Sequence, residues 1–115
     1  MTPENTREAS QLPAATPVDL LALVAYQEGA VVSRTLVKKA TCTLTVFAFD
    51  AGQALSEHTA PFDALVQVLD GTVKLTIGGK SVVAKAGQTV LLPANVPHAV
   101  NATSKFKMVL LMVRE

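Results

Sequence analysis

Residues 65–92, LVQVLDGTVKLTIGGKSVVAKAGQTVLL, decide the fold of this chain. Short runs rich in valine, leucine and threonine alternate there with the pairs Asp70-Gly71, Gly78-Gly79 and Ala86-Gly87. Asp-Gly and Gly-Gly pairs suit two-residue hairpin turns, which need positive φ angles. The stretch therefore predicts four short antiparallel strands, at 65–69, 72–77, 81–85 and 89–92.

The same organisation extends in both directions along the chain. The sequence predicts further strands at 31–39, 41–49, 98–101 and 106–113. Short strands at this close spacing, with no long helix between them, are typical of a β-sandwich or a small barrel. Residues 18–26 are apolar without a decisive period, so they are expected to form either a short helical turn or a first strand.

Composition limits the function classes. The chain has 115 residues, a formal net charge of +1, one cysteine and two histidines. A near-neutral chain lacks the basic field that nucleic acid or an acidic membrane would require, so we expect neither partner. One cysteine excludes an intramolecular disulfide and a multi-cysteine zinc site. With no apolar leader segment at its start, the chain is expected to be cytoplasmic.

The first 17 residues differ from the rest. They contain Pro3, Pro13 and Pro17 and almost no large apolar side chains. Such a composition predicts a flexible N-terminal arm at 1–17. The remaining residues, 18–115, are long enough for a single domain with one modest core.

Two linked patterns lie between residues 52 and 102. The first has three residues in register: Gly52, His58 and Gly71. The second has three more: Gly87, Pro93 and His98. On these positions the chain resembles the cupin family, and the flanking strands extend the resemblance over 18–114. The resemblance implies an all-β fold, the antiparallel cupin barrel of the RmlC-like type, also called a double-stranded β-helix or jelly roll.

The chain departs from the family patterns at positions that matter for chemistry. Cupins with the full set bind a divalent metal through three histidines and one glutamate, but Ala60 and Ala64 replace one histidine and the glutamate. The resemblance thus leaves His58 and His98 as metal ligands and as candidates for any catalytic role. Two imidazoles alone predict weak binding of an ion such as Ni, Zn, Fe or Mn, because catalytic sites normally have three protein ligands.

The neighbouring polar residues do not complete the ligand set by position. Glu57, Asp63 and Gln67 all lie near the replaced ligands. Because side chains alternate between the faces of a strand, we expect all three to point away from the pocket.

The turn-forming positions of the family patterns are kept. Asn95 replaces a glycine, and asparagine is the residue that best tolerates the left-handed conformation after glycine. Pro93 and Pro97 bracket the loop before His98 and stiffen it. We therefore expect the barrel to be intact even though its ligands are reduced.

These observations predict a cupin-fold protein that binds a small molecule in its barrel cavity, with His58 and His98 as polar anchors. An apolar pocket with few polar groups is the usual composition of such a site. The expected lining is largely apolar: Val46, Phe62, Ala64, Val66 and Met108, with Leu44 and Leu110.

The sequence leaves open whether the protein is an enzyme. The first alternative is a metal-dependent cupin enzyme, a dioxygenase, isomerase or decarboxylase, with its metal held by His58, His98 and water or another group. The second is a metal-free enzyme in which a cavity histidine acts as general acid or base. The simplest alternative is that both histidines are structural and bond to the backbone.

Residues 41–49 alternate strictly, which leads to a prediction about assembly. One face is apolar throughout and is expected to face the core: Cys42, Leu44, Val46 and Ala48. The opposite face ends in Phe47 and Phe49, which would form an exposed patch in need of cover. This patch, together with the resemblance, predicts a homodimer.

Overall fold

The computed structural model describes residues 12–114. Within this range nine strands form two antiparallel sheets that face each other. The strands are β1 (Val31–Lys38), β2 (Cys42–Phe49), β3 (Ala54–His58), β4 (Asp63–Asp70), β5 (Thr72–Ile77), β6 (Lys80–Lys85), β7 (Thr89–Leu92), β8 (His98–Asn101) and β9 (Phe106–Val113). Eight of them match the predicted strands to within two residues, and the all-β jelly-roll class is confirmed. β3, whose sequence ALSEH has no β-branched residue, was not predicted from its pattern.

The two sheets have a jelly-roll topology. The first has five strands in the order β1-β2-β9-β4-β7, and the second has four in the order β3-β8-β5-β6. Consecutive strands β4 and β5 belong to different sheets, so the turn at Asp70-Gly71 carries the chain from one sheet to the other and is not the predicted hairpin turn. Gly71 has a φ of +76°, and a Cβ there would overlap the carbonyl oxygen of Lys105. Only glycine fits this corner.

The main core fills the space between the sheets. Its largest fully buried side chains are Phe49, Phe106, Leu75 and Met108, and the rings of Phe49 and Phe106 stack with their centroids 4.6 Å apart. Each strand contributes alternate residues, as period-two burial requires. On β5, for example, Val73 and Leu75 point inward while Lys74 points outward.

A second, smaller cluster lies on the outer face of the five-stranded sheet. It consists of Val24, Leu36, Val46 and Ala48, with Leu20, Leu23 and Tyr26 packed around them. The apolar face of β2 therefore packs under the N-terminal segment and does not line the main core, which corrects the predicted orientation of this strand. Both faces of β2 are covered, so apolar character alone did not distinguish them.

The phenylalanines of β2 lie inside the molecule. Phe49 is fully buried in the main core, and Phe47 is half-buried beside it, with the two ring centroids 5.9 Å apart. The expectation that these rings form an exposed patch is wrong, because they occupy the inner face of the sheet. The homodimer prediction itself stays untested, but this argument no longer supports it.

The N-terminal segment forms a single 3₁₀ turn, Leu20–Ala22, so the helical alternative for 18–26 is confirmed. Asp19 caps the turn by accepting a hydrogen bond from the Leu21 amide. The Tyr26 hydroxyl donates to Asp70 over 2.6 Å and ties the segment to the barrel. Burial and the Asp70 carboxylate together raise the pKa of Tyr26.

Most of the predicted arm, residues 1–11, lies outside the described residues. Of its remainder, Leu12 packs against the outer cluster. No helix within residues 12–114 is long and apolar enough to cross a membrane.

Candidate functional site

The two histidines meet at one end of the four-stranded sheet. His58 ends β3 and His98 begins β8, and the two residues are direct cross-strand partners although 40 positions separate them. Their Nε2 atoms are 3.0 Å apart, and the ring planes meet at 72° with centroids at 4.3 Å. The structure thus brings together the two residues that the family patterns singled out.

Backbone carbonyls fix both rings. Nδ1 of His58 lies 2.8 Å from the Ser56 carbonyl oxygen, and Nδ1 of His98 lies 3.3 Å from the Val96 carbonyl oxygen. A carbonyl only accepts hydrogen bonds, so the tautomer with its hydrogen on Nδ1 is the one that satisfies both carbonyl contacts. With both neutral rings in that tautomer the two Nε2 atoms present lone pairs to each other, whereas a hydrogen on either Nε2 makes the 3.0 Å contact a hydrogen bond. One positive charge between or on the rings, a proton or a metal ion, removes this repulsion.

The two rings differ in exposure. His98 is 7% exposed, whereas His58 is open to solvent. Burial, followed by the proximity of His58, lowers the pKa of His98, and the hydrogen bond to the Val96 carbonyl acts weakly in the opposite direction. His98 therefore favours the neutral state near pH 7.

Two loops hold the histidines in place. The Asn95 amide donates to the Ala60 carbonyl over 2.7 Å, and the Ala94 amide donates to the Asp63 carboxylate over 2.8 Å. These bonds join the loop after β3 and the first residue of β4 to the loop before β8. Asn95 has a φ of +65°, which confirms that asparagine keeps the turn expected of the glycine it replaces.

The opposite wall of the site comes from the five-stranded sheet. Its inner face ends in one row of residues that are paired strand to strand: Thr43, Met112, Ala64 and Leu92. Leu92 is followed by the short loop that leads to His98, so this row and the histidine pair lie at the same end of the molecule. We call this end the mouth. Partly buried Leu55, Ile77 and Met112 pack against the core below it.

The mouth holds few metal-ligating groups. Across residues 12–114 no three His, Cys, Asp or Glu side chains are placed to hold one ion. Asp63 is exposed and accepts the Ala94 amide, and Glu57 is exposed on β3. The spacing of the two Nε2 atoms suits one metal ion. Two nitrogens that each bind an ion at about 2.1 Å, with a roughly right angle between the two bonds, lie about 3.0 Å apart, which is the observed separation.

The predicted lining residues divide into three groups. Ala64, Val66 and Met108 lie on the inner face of the sheet within the main core, and Leu110 packs against them. Val46, together with Leu44, belongs to the outer cluster and lies on the other side of the sheet from the histidines. This placement removes Val46 from the expected lining.

Phe62 lies elsewhere, in a groove on the rim of the barrel. The groove is lined by Pro61, Phe62, Asp63, Ala94, Val113 and Arg114. The Arg114 guanidinium sits 4.9 Å from the centroid of the Phe62 ring. Phe62 therefore flanks the mouth and does not line its interior.

Sequence reasoning missed Thr43, which the structure places on the inner wall. Assigning the apolar face of 41–49 to the core turned its threonines outward in the prediction. The one signal that favours the observed orientation is the pair of phenylalanines that follow on the same face, since buried aromatic side chains contribute more to a core than the smaller residues opposite.

The family model described as "Cupin domain" matches residues 45–114, which include both histidines. No curated protein matches the chain.

Several solved structures are similar to the whole domain. A conserved protein of unknown function from Streptococcus pyogenes is 34% identical, with a TM-score of 0.88 over 93% of this chain and 94% of that one. A Cupin 2 conserved barrel domain protein from Leptotrichia buccalis is 47% identical, with a TM-score of 0.80 over 82% of this chain. The match covers only 46% of the Leptotrichia chain. A cupin superfamily protein from Desulfitobacterium hafniense, 24% identical with a TM-score of 0.87 over 93% of this chain and 98% of that one, shares the fold.

Proposed function

The chain belongs to the cupin family, and on that premise we propose that its mouth binds a small molecule through His58 and His98. The ligand class is a compact molecule that offers a carboxylate, carbonyl or hydroxyl to the imidazoles and an apolar body to the walls. The apolar walls come from Ala64, Met112 and Leu55. Such a combination is typical of small-molecule sites.

One observation carries the proposal, namely the 3.0 Å separation of the two Nε2 atoms with both Nδ1 atoms held by carbonyls. A ligand hydroxyl satisfies an Nε2 lone pair directly. A carboxylate binds once the pair carries one proton, because an ionised carboxylate only accepts hydrogen bonds.

Binding of butyrate tests this function. The probe has a carboxylate and a short apolar chain, and its binding is followed by NMR through the imidazole C–H signals at slightly acidic pH. We expect saturable shifts of both histidine signals in the parent protein and loss of binding in His98→Gln. Lys74→Gln, on the outer face of the same sheet, removes a cation away from the mouth and is the matched control. Unchanged butyrate affinity in His98→Gln would contradict the proposal.

The same distance favours a second candidate, a metal-dependent cupin enzyme of the dioxygenase, isomerase or decarboxylase type. His58 and His98 fit two adjacent positions of one divalent ion, which would supply Lewis-acid chemistry to a bound substrate. They do not fit a tightly held catalytic ion, because Ala60 and Ala64 contribute no ligand and two imidazoles leave the other positions to solvent or substrate.

The metal content of protein purified without a tag, and its exchange with added Ni²⁺, distinguish this candidate. If the protein is such an enzyme, it retains stoichiometric metal through purification, and His58→Gln does not. Metal that exchanges freely during dialysis counts against a resident cofactor and leaves the small-molecule function in place.

We also propose a homodimer, through the outer face of the five-stranded sheet and not through Phe47 and Phe49. The outer face of the five-stranded sheet carries a row of cross-strand leucines, in the order Leu91, Leu65, Leu111 and Leu44. Leu91 is 52% exposed and Leu65 is 38% exposed. A flat apolar row suits an isologous contact, in which the same patch is used twice. Light scattering should show a dimer that Leu91→Lys converts to monomer, and a monomeric parent protein would refute it.

A further inference from the structure

The inner wall of the mouth contains a hydroxyl that lacks a hydrogen-bond partner. In the part of the chain that the structure describes, the Thr43 Oγ1 atom is the one buried side-chain oxygen or nitrogen without a hydrogen-bond partner. Thr43 is 6% exposed. Leaving a buried polar group unpaired costs free energy, so each such group in a folded protein calls for an explanation.

Thr43 differs in this respect from its neighbour on the same face. Thr45 is equally buried, at 7% exposed, but its hydroxyl lies 3.5 Å from the hydroxyl of Thr35 on the adjacent strand. The cross-strand partners of Thr43 are Lys38 and Met112, and neither gives it a hydrogen bond. The unpaired state is therefore specific to the residue in the mouth.

The topology places Thr43 across from the histidines. Contacts between β4 and β6 show how the two sheets overlie each other. β3 and β6 are the two edges of the four-stranded sheet, and β6 lies against β4. The other edge, β3 with His58, therefore lies over the part of the five-stranded sheet that contains β2. Met112, the cross-strand partner of Thr43, lies beside it on this wall, and its unbranched side chain can change rotamer to admit a short ligand.

We infer that the Thr43 hydroxyl is a second hydrogen-bonding point for the ligand, opposite the histidine pair. The inference rests on the proposed function and narrows its ligand class. The ligand is a short-chain carboxylic acid with a hydroxyl or carbonyl group at its far end. Its carboxylate binds the histidines, its methylene groups contact Met112 and Ala64, and its far group pairs with Thr43.

Two probes that differ by one hydroxyl test this inference. Butyrate and 4-hydroxybutyrate are titrated into the parent protein, Thr43→Val and Thr43→Ser, with binding followed by NMR. We expect 4-hydroxybutyrate to bind about three- to tenfold more tightly than butyrate to the parent and to Thr43→Ser. In Thr43→Val, which keeps the shape but removes the hydroxyl, the two acids should bind equally.

Thermal stability without ligand gives a readout that does not depend on the probe. Thr43→Val should leave the melting temperature unchanged or raise it, because it removes an unsatisfied group. Thr45→Val, the matched control, should lower it, because it removes a partnered hydroxyl. A clear loss of stability in Thr43→Val would show that the hydroxyl is structural and would overturn the inference.

The outcomes separate this inference from the function on which it rests. If butyrate binds in a His98-dependent manner but the preference for 4-hydroxybutyrate is absent or survives in Thr43→Val, the role of Thr43 is refuted and the proposed function stands. If neither acid binds the parent protein, both the ligand class and the carboxylate function are refuted.

Discussion

Replacing Ala64 by glutamate restores the carboxylate that the family pattern has at this position. Ala64 is 5% exposed and lies on the inner face of β4, in the row that faces the histidine pair. If the missing third ligand is what limits metal binding, Ala64→Glu should create a set of two histidines and one carboxylate. That set is typical of non-haem iron sites and related divalent-metal centres.

The substitution has a cost in the absence of metal. A glutamate side chain adds volume to a packed row, which costs about 1–3 kcal/mol. Burying its carboxyl costs about 1–3 kcal/mol more unless it finds a partner. Because Met112 beside position 64 is only partly buried, we expect a total near the lower half of this range, about 2–4 kcal/mol. At roughly 5 °C per kcal/mol for a domain of this size, the melting temperature should fall by about 10–20 °C.

Metal should offset most of that loss. A third ligand is expected to raise Ni²⁺ affinity about a hundredfold over the parent protein, which corresponds to about 2.7 kcal/mol. At a free Ni²⁺ concentration about 100 times the dissociation constant, linkage adds about 2.7 kcal/mol to the free energy of unfolding. The melting temperature should therefore recover by about 10–15 °C on addition of Ni²⁺.

Calorimetric titration gives the affinities, and differential scanning fluorimetry with and without Ni²⁺ gives the stabilities. Ala64→Gln is the matched control, because it adds the same volume without the charge and should lose stability without gaining metal affinity. Equal responses of Ala64→Glu and Ala64→Gln to Ni²⁺ would refute the placement of position 64 beside the histidine pair.

Two further predictions concern stability. Because the pKa of His98 is lowered in the folded state from its ordinary value of 6.5, the unfolded chain binds more protons below that pH. The free energy of unfolding, measured in urea, should therefore fall as the pH drops below about 6.5. The fall should be smaller in His98→Gln, and equal pH profiles of the parent protein and this variant would contradict the prediction. Gly71→Ala should cost well above 2 kcal/mol, because its Cβ meets the Lys105 carbonyl in addition to about 1–2 kcal/mol of positive-φ strain. Gly79→Ala, with a similar φ and no atom within 4 Å, should cost only the strain, and equal losses would argue against the close contact at Gly71.

Much of the fold was predictable because glycine marks its turns, where the backbone needs a positive φ that other residues rarely adopt. Gly71 and Gly87 each adopt the positive φ that the turn pairs indicated. The orientation of β2 was not predictable in the same way. Period two shows that residues alternate between faces, but when both faces are apolar it does not show which of them meets the second sheet. Contacts with Val24 and Leu36, distant in sequence, decide it.

The site was predictable to the extent that it depends on residue identity at family positions. His58 and His98 follow from the two motifs, and the pairing register of β3 with β8 then makes them neighbours. Their ring orientations follow from the Ser56 and Val96 carbonyls, which every residue possesses, so no side-chain pattern signals them. The unpaired hydroxyl of Thr43 is likewise visible only once its surroundings are known.

The replaced ligands change the kind of group that the mouth can hold. A site with three histidines and a glutamate holds a metal ion permanently, and a substrate then binds to the ion. Here the loops that carry His58 and His98 remain joined by the Asn95–Ala60 and Ala94–Asp63 hydrogen bonds, so the rings stay in place while the other two ligands are absent. Under the proposed function, a ligand and not a resident ion occupies the position between these two nitrogens. A ligand that brings its own hydrogen, or a carboxylate that binds together with one proton, satisfies the same two nitrogens and leaves when its concentration falls. Reversible binding of a small molecule is therefore the function that we propose for these two histidines and the residues around them.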